Sequence, residues 1–145
     1  RKNLPYTYNP DINGQFKIVA IDRDDVAVEA DYVQVHFSLQ YPELTNGESI
    51  YIYGNYNNYA LSDYNRMILN IESGLYETNF KLKQGFYNYK YVIVNKNGDL
   101  NEGAISGDFW QTENNFKVLV YYRDLGARYD RIIGFNQVSS TNISN

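Results

Sequence analysis

The chain has 145 residues, enough for one domain with a core of its own. It holds 16 tyrosines and no cysteine, which excludes disulfides, thiol chemistry and cysteine-ligated zinc. The formal net charge of -4 argues against a nucleic-acid surface. No apolar run approaches the ~18 residues that a membrane-spanning helix needs, so no transmembrane segment is expected.

Residues 1–14 are irregular, punctuated by Pro5, Pro10 and the Asn13-Gly14 turn, and read as a linker from a preceding domain. Residues 15–136 read as the β-sandwich domain and 137–145 as a polar tail or linker, the whole being a piece of a longer polypeptide. A short strand is expected from Gln15 to Ile21, before the acidic loop Asp22-Arg-Asp-Asp25. From Asp31 to Gln40 apolar and polar residues alternate, so that Val33, Val35, Phe37 and Leu39 face inward while Tyr32, Gln34, His36 and Ser38 face out. Ser49 to Tyr53 alternates aliphatic and aromatic residues and ends at Gly54, before the asparagine-rich turn 55–59.

Arg66–Ile71 and Leu75–Leu82 form the next hairpin, with Tyr76, Thr78, Phe80 and Leu82 toward the core. The following strand places Tyr87, Tyr89, Tyr91 and Ile93 on one face, expected to be buried between two sheets, and Phe86, Asn88, Lys90, Val92 and Val94 on the other. Asn97-Gly98 turns the chain. Phe116, Val118, Val120 and Tyr122 line one side of another strand, and Arg131 to Phe135 is a last short one. No helical period is expected anywhere. Short strands at about ten-residue spacing with Gly/Asn turns predict an all-β fold, an antiparallel β-sandwich of immunoglobulin-like, early-set type.

Chemistry-bearing residues are sparse. His36, the single histidine, falls on the solvent side of a strand without a base or nucleophile beside it in sequence. Asp22, Asp24 and Asp25 supply oxygens suited to a hard cation but read as a solvated loop. Asn97-Gly98-Asp99 lacks the spacing of a calcium loop. Glu102 and Asp108 would be the carboxylate pair of a glycosidase, a pairing any acidic domain offers. Aromatic residues on turns are the better candidates for contact with a sugar ring or a protein: Tyr56 and Tyr59 in the asparagine-rich turn, and Trp110 in a long loop. The same rings would serve equally to cap the end of a sandwich.

The segment IYIYGNYNNY, followed after a hairpin by GFYNYKYVIVNKNG, resembles the glycogen-binding modules of the early-set immunoglobulin type. Gly54, Asn57, Tyr59, Gly85, Tyr89 and Lys90 fall on their pattern, with Tyr59 in place of the turn tryptophan and Leu100 near where a second tryptophan belongs. This resemblance implies Tyr59 and Lys90 as ligand-type residues.

A second resemblance spans nearly the whole chain. LPYTYNPDING at 4–14, EADYVQVHFSL at 29–39, KQGFYNYKY at 83–91, and YYR at 121–123 with RYDRIIGF at 128–135 are similar to the plug proteins of the Bacteroidetes type IX secretion system. It implies a non-catalytic, periplasmic, outer-membrane-associated protein with no cofactor, whose partner is the outer-membrane translocon barrel protein. Arg123, Arg128 and Arg131, near Tyr121, Tyr122 and Tyr129, are the expected contacts, or else they pin the last strand to the sheet. The alternative is a carbohydrate-binding module for an α-glucan-like polysaccharide.

Overall fold

The structure, a computed structural model, describes residues 12–20, 25–45, 47–109 and 112–140. They fall into two compact units that divide between Asp108 and Phe109. Trp110, Asp22 and Asp24 lie outside the described residues, as do 1–11 of the expected linker and 141–145 of the expected tail.

The first unit is built from β1 (Phe16–Ile18), β2 (Tyr32–Leu39), β3 (Ser49–Tyr53), β4 (Arg66–Asn70), β5 (Leu75–Lys83), β6 (Gly85–Tyr87), β7 (Lys90–Val94) and β8 (Leu100–Asn101). All pairings are antiparallel, in the order β2-β5-β4-β3-β7-β8, with β1 and β6 as a separate ribbon. Among the described residues of this unit, helix is confined to the single turn α1 (Val26–Glu29) and a 3-10 turn at Asn55–Asn57. The one turn was not expected from the sequence, yet Asp25 caps it, its carboxylate accepting from Ala27 N at 3.2 Å.

β4 gives the unit its layers. Its second half, Ile68 to Asn70, pairs with β5, whereas Arg66 and Met67 pair with Tyr51 and Ile50 of β3. A strand that changes partner part-way turns a corner between two sheets. The leaf β2-β5-β4 supplies Phe37, Tyr76 and Phe80 to the core, the leaf β4-β3-β7-β8 supplies Ile50, Ile52 and Ile93, and Met67 lies at the corner. Phe37 stacks on Phe80 across the β2-β5 ladder with ring centroids 4.8 Å apart. The fold is thus the all-β, antiparallel sandwich of immunoglobulin-like type that the spacing of short strands predicts.

Within it, β2 and β5 follow their alternation, Phe37, Tyr76 and Phe80 being buried, although Val33 at the start of β2 is half exposed. The tyrosine strand departs from expectation. It breaks at Asn88 and Tyr89: β6 leaves to pair with β1, and β7 pairs with β3. Tyr91 packs on the core and Tyr87 is half-buried, but Tyr89 is exposed. Val92 and Val94, assigned to the outer face, are buried. The break has a local cause. Asn88 N donates to the Gln15 carbonyl at 3.0 Å, while its Oδ1 accepts from Ile12 N at 3.1 Å, so this residue serves the N-terminal ribbon. Gly85 permits the approach, since a Cβ there would lie 2.5 Å from the Lys17 carbonyl oxygen.

The sandwich also ends earlier than the expected boundary at 136. The second unit holds a hairpin of its own, β9 (Asn115–Tyr122) and β10 (Arg131–Ser139), registered from Arg131↔Tyr122 to Ser139↔Asn115 with a bulge between Ile132 and Gly134. Residues 137–139 are therefore strand and not tail. Asn136 and Gln137 hid this in the sequence, being polar residues in a ribbon whose exposed edge tolerates them.

One buried polar side chain locks the chain between β3 and β4. Asn65 is fully buried; its Nδ2 donates to Ile52 O at 2.7 Å and Ala60 O at 3.0 Å, and its Oδ1 accepts from Ser62 N at 3.0 Å and Ser62 Oγ at 2.9 Å. An amide with every lone pair and proton placed holds a loop well, and deleting it strands its partners. Asn65→Ala is expected to lower stability by about 2–4 kcal/mol, read as a fall in the denaturant midpoint with an unchanged m value. A variant within about 0.5 kcal/mol of the native chain contradicts this reading of the loop.

Candidate functional site

The loop that Asn65 anchors carries both turn tyrosines, and sends them opposite ways. Tyr56 turns inward: its ring stacks on Phe80 at 5.5 Å and its hydroxyl donates to Ile52 O at 2.9 Å. Burial pushes that hydroxyl up to about 12. Tyr56 is thus a partly buried core cap and lies apart from the cleft that Tyr59 lines.

Tyr59 turns outward from a strained backbone. It follows Asn58 into the left-handed region, with φ of 59° after 56°. Asparagine tolerates that conformation, and a bulky side chain adopts it only where the surroundings impose it. Tyr59 N donates to Gly54 O at 3.1 Å, its hydroxyl donates to Gly14 O at 3.3 Å, and its ring lies 5.1 Å from that of Tyr53. Gly54 at the start of the loop cannot be enlarged, because a Cβ there would lie 2.9 Å from Asn88 O.

The result is an open cleft of about 440 Å3 lined by Tyr53, Tyr59, Asn88, Tyr89, Lys90 and Glu102 with Gly14 and Gly54. The Lys90 ammonium pairs with the Glu102 carboxylate and stands 5.9 Å from the centre of the Tyr53 ring. Both charged groups are partly exposed, so their pairing contributes about 0–1 kcal/mol and weakens with salt. The break at Asn88 and Tyr89 is what admits Tyr89: an unbroken strand would have turned its ring into the core. Tyr89 instead packs edge-on against Phe37 at 5.3 Å and Tyr91 at 5.7 Å, and keeps an exposed surface.

Of the residues singled out from sequence, Tyr59 and Lys90 therefore share one cleft. Tyr53, Tyr89 and Glu102 join them unforeseen. Tyr53 was legible as the outward residue of an alternating strand next to the turn. Glu102 had been weighed only as half of a carboxylate pair with Asp108, and its partner is instead Lys90. His36 lies on the exposed face of β2, opposite Asn79.

The three arginines belong to the second unit, at the turn of the β9-β10 hairpin. Arg123 makes a two-pronged bond to Asp130, Nε to Oδ1 at 2.7 Å and an NH2 nitrogen to Oδ2 at 3.0 Å. Arg131 pairs with Asp124 at 2.8 Å and lies 5.7 Å from the Tyr122 ring centre. These crossed pairs brace the hairpin end, and the Asp130 carboxylate holds the Arg123 guanidinium above its ordinary value. Arg128 and Tyr129, at the tip, are exposed.

No protein-family model and no curated protein sequence matches the chain. A solved structure is similar: a hypothetical protein from Parabacteroides merdae ATCC 43184, 40% identical, with a TM-score of 0.81 over 97% of this chain. The match covers 35% of that protein, so the chain spans about a third of its neighbour's length.

Burial around the first unit's rings has a measurable consequence. Tyr56 and Tyr91 are both raised to about 12 by burial, against about 10 for an unfolded tyrosine. The unfolded chain releases these protons first, so their contribution to stability is intact below pH 10 and is lost as pH climbs from about 10 to 12. Denaturation midpoints are expected to hold steady up to about pH 10 and fall beyond it. Ultraviolet titration of the folded chain is expected to leave Tyr56 and Tyr91 unionised at pH 11, and a single tyrosinate step near pH 10 for every ring would refute that.

Proposed function

We propose that this chain is a non-catalytic interaction domain of a periplasmic, outer-membrane-associated protein that closes the barrel of the type IX secretion translocon. Four sequence blocks in order resemble the plug proteins of that system. The similar structure comes from Parabacteroides, within the Bacteroidetes where the system occurs. The observation that carries the reading is the braced tip of the β9-β10 hairpin. Crossed ion pairs Arg123–Asp130 and Arg131–Asp124 fix its base, and Tyr122, Arg128 and Tyr129 stand exposed on it. Tyrosine and arginine held in place lose little entropy on contact and are the residues on which binding energy concentrates. The mechanism is steric: a rigid domain seated in a wide pore blocks it, and leaves when cargo or another partner competes for its contacts.

Pull-down against the translocon barrel is expected to retain the native protein, and pore leakage to rise when this domain is deleted. Arg128→Ala with Tyr129→Ala is expected to weaken retention by ten-fold or more, since neither side chain supports the fold. Failure of the domain either to co-purify or to alter leakage sinks the assignment.

The cleft favours a second reading, binding of an α-glucan-like polysaccharide. Its support is that Tyr59 and Lys90, the residues carried by the glycogen-binding resemblance, line one cavity with two further tyrosines. Tyrosine rings stack on sugar faces, while the partly exposed Lys90 and Glu102 offer hydroxyl partners. Tyr59→Gly separates stability from binding, because glycine suits the left-handed backbone and removes the ring. Affinity electrophoresis in soluble α-glucan is expected to retard the native chain and to lose most of that retardation in Tyr59→Gly. No retardation of the native chain removes this reading.

A further inference from the structure

The stem of the β9-β10 hairpin poses a different problem from its tip. Register places Phe116, Val118, Val120 and Val138 on one face, and Leu119, Tyr121, Ile132 and Phe135 on the other. Among the described residues of its own unit nothing covers either face. Val118 is 58% exposed and Val120 46%, while Phe135 is 61% exposed and Tyr121 58%. Lys117 is the single charged residue within β9. Among the described residues no other strand pairs with either edge of the hairpin.

Each of these features is unusual for a ribbon that lives in water. A sheet with one wet side alternates apolar with polar residues, and strands apolar on both sides occur where layers cover both. Two strands alone are marginally stable. Open, largely apolar edges invite further pairing, and Lys117 in β9 and Arg131 at the start of β10 are the only charges within these two strands. The stem has the composition of a central layer and none of the protection of one.

We infer that this stem is an internal docking element, covered on both faces by another domain of the longer polypeptide to which this chain belongs. Two observations choose that occupant over a second copy. An isologous dimer buries the same face of each protomer and would leave the opposite one wet, whereas here both faces need cover. The similar Parabacteroides protein matches 97% of this chain with only 35% of its own length, so most of such a polypeptide lies outside the matched part and could supply two layers. The surface it must meet is apolar and extended, with a complementary strand edge beside β9 or β10. The exposed tip, with its arginines and tyrosines, is left for other partners.

Amide hydrogen exchange on the encoded full-length protein and on the 145-residue chain tests this directly. The β9 and β10 amides are expected to be at least ten-fold better protected in the full-length protein, while β3, β5 and β7 exchange alike in both. Val118→Asp and Phe135→Asp, one on each face, are each expected to lower the thermal midpoint of the full-length protein and leave that of the sandwich in the 145-residue chain unchanged. Four results overturn the inference: equal exchange of the hairpin in the two proteins, protection that grows with protein concentration, sensitivity to one face only, or an encoded polypeptide no longer than this chain. The exchange comparison needs no variant, so a substituted protein that fails to fold does not spare the proposal. A failed translocon pull-down leaves this inference standing, because it concerns the stem and not the tip.

Discussion

A single buried amide governs how the first unit presents its surface. Asn65 ties the end of β3, the following loop and the start of β4 through four hydrogen bonds, all at 3.0 Å or less. The Ile52 carbonyl at its centre also accepts the Tyr56 hydroxyl at 2.9 Å. With those bonds made, the twelve-residue connection between Tyr53 and Arg66 has one conformation, and that conformation sends Tyr56 to the core and Tyr59 to the cleft. The strained backbone at Tyr59 is tolerable only inside such a frame. The candidate binding surface of this unit is therefore a by-product of how its corner is fastened.

The two units display opposite design logics. In the first, Phe37, Tyr56 and Tyr64 gather around the Phe80 ring at the core, and a cleft with a weak ion pair opens beside them. In the second, nearly every large apolar residue is left in solvent. Chemistry of the first kind suits recognition of a small or flexible ligand. The second suits a partner with broad apolar surface. A chain that carries both has room for the two functional readings without conflict between their sites.

Much of the fold could be read from residue order because the strong signals are local. Alternation in β2 and β5 placed Phe37, Tyr76 and Phe80 inside, and Gly74 and Gly98 marked turns that adopt positive φ. What escaped was decided by contacts distant in sequence. Alternation runs on unbroken through Phe86 to Val94, so nothing in those residues announces that Asn88 is claimed by Gln15 and Ile12, more than seventy positions away. Tyr89 was accordingly placed in the core and missed as a cleft residue. Tyr59 and Lys90 were found through a motif, whereas Glu102 could only be recognised once β7 and the loop after β8 were side by side. The extent of β10 escaped for a different reason: Asn136 and Gln137, one on each face of the ribbon, interrupt the apolar run, so the residues after them read as a polar tail.

The shared strand at the sandwich corner has a mechanical meaning as well. Because β4 gives its first residues to one leaf and its last to the other, neither leaf owns it. Peeling away β5 removes support from the strand that β3 leans on, and loosening β3 does the same to β5. The two leaves are joined through this one strand, so a load applied at either sheet is passed to the other.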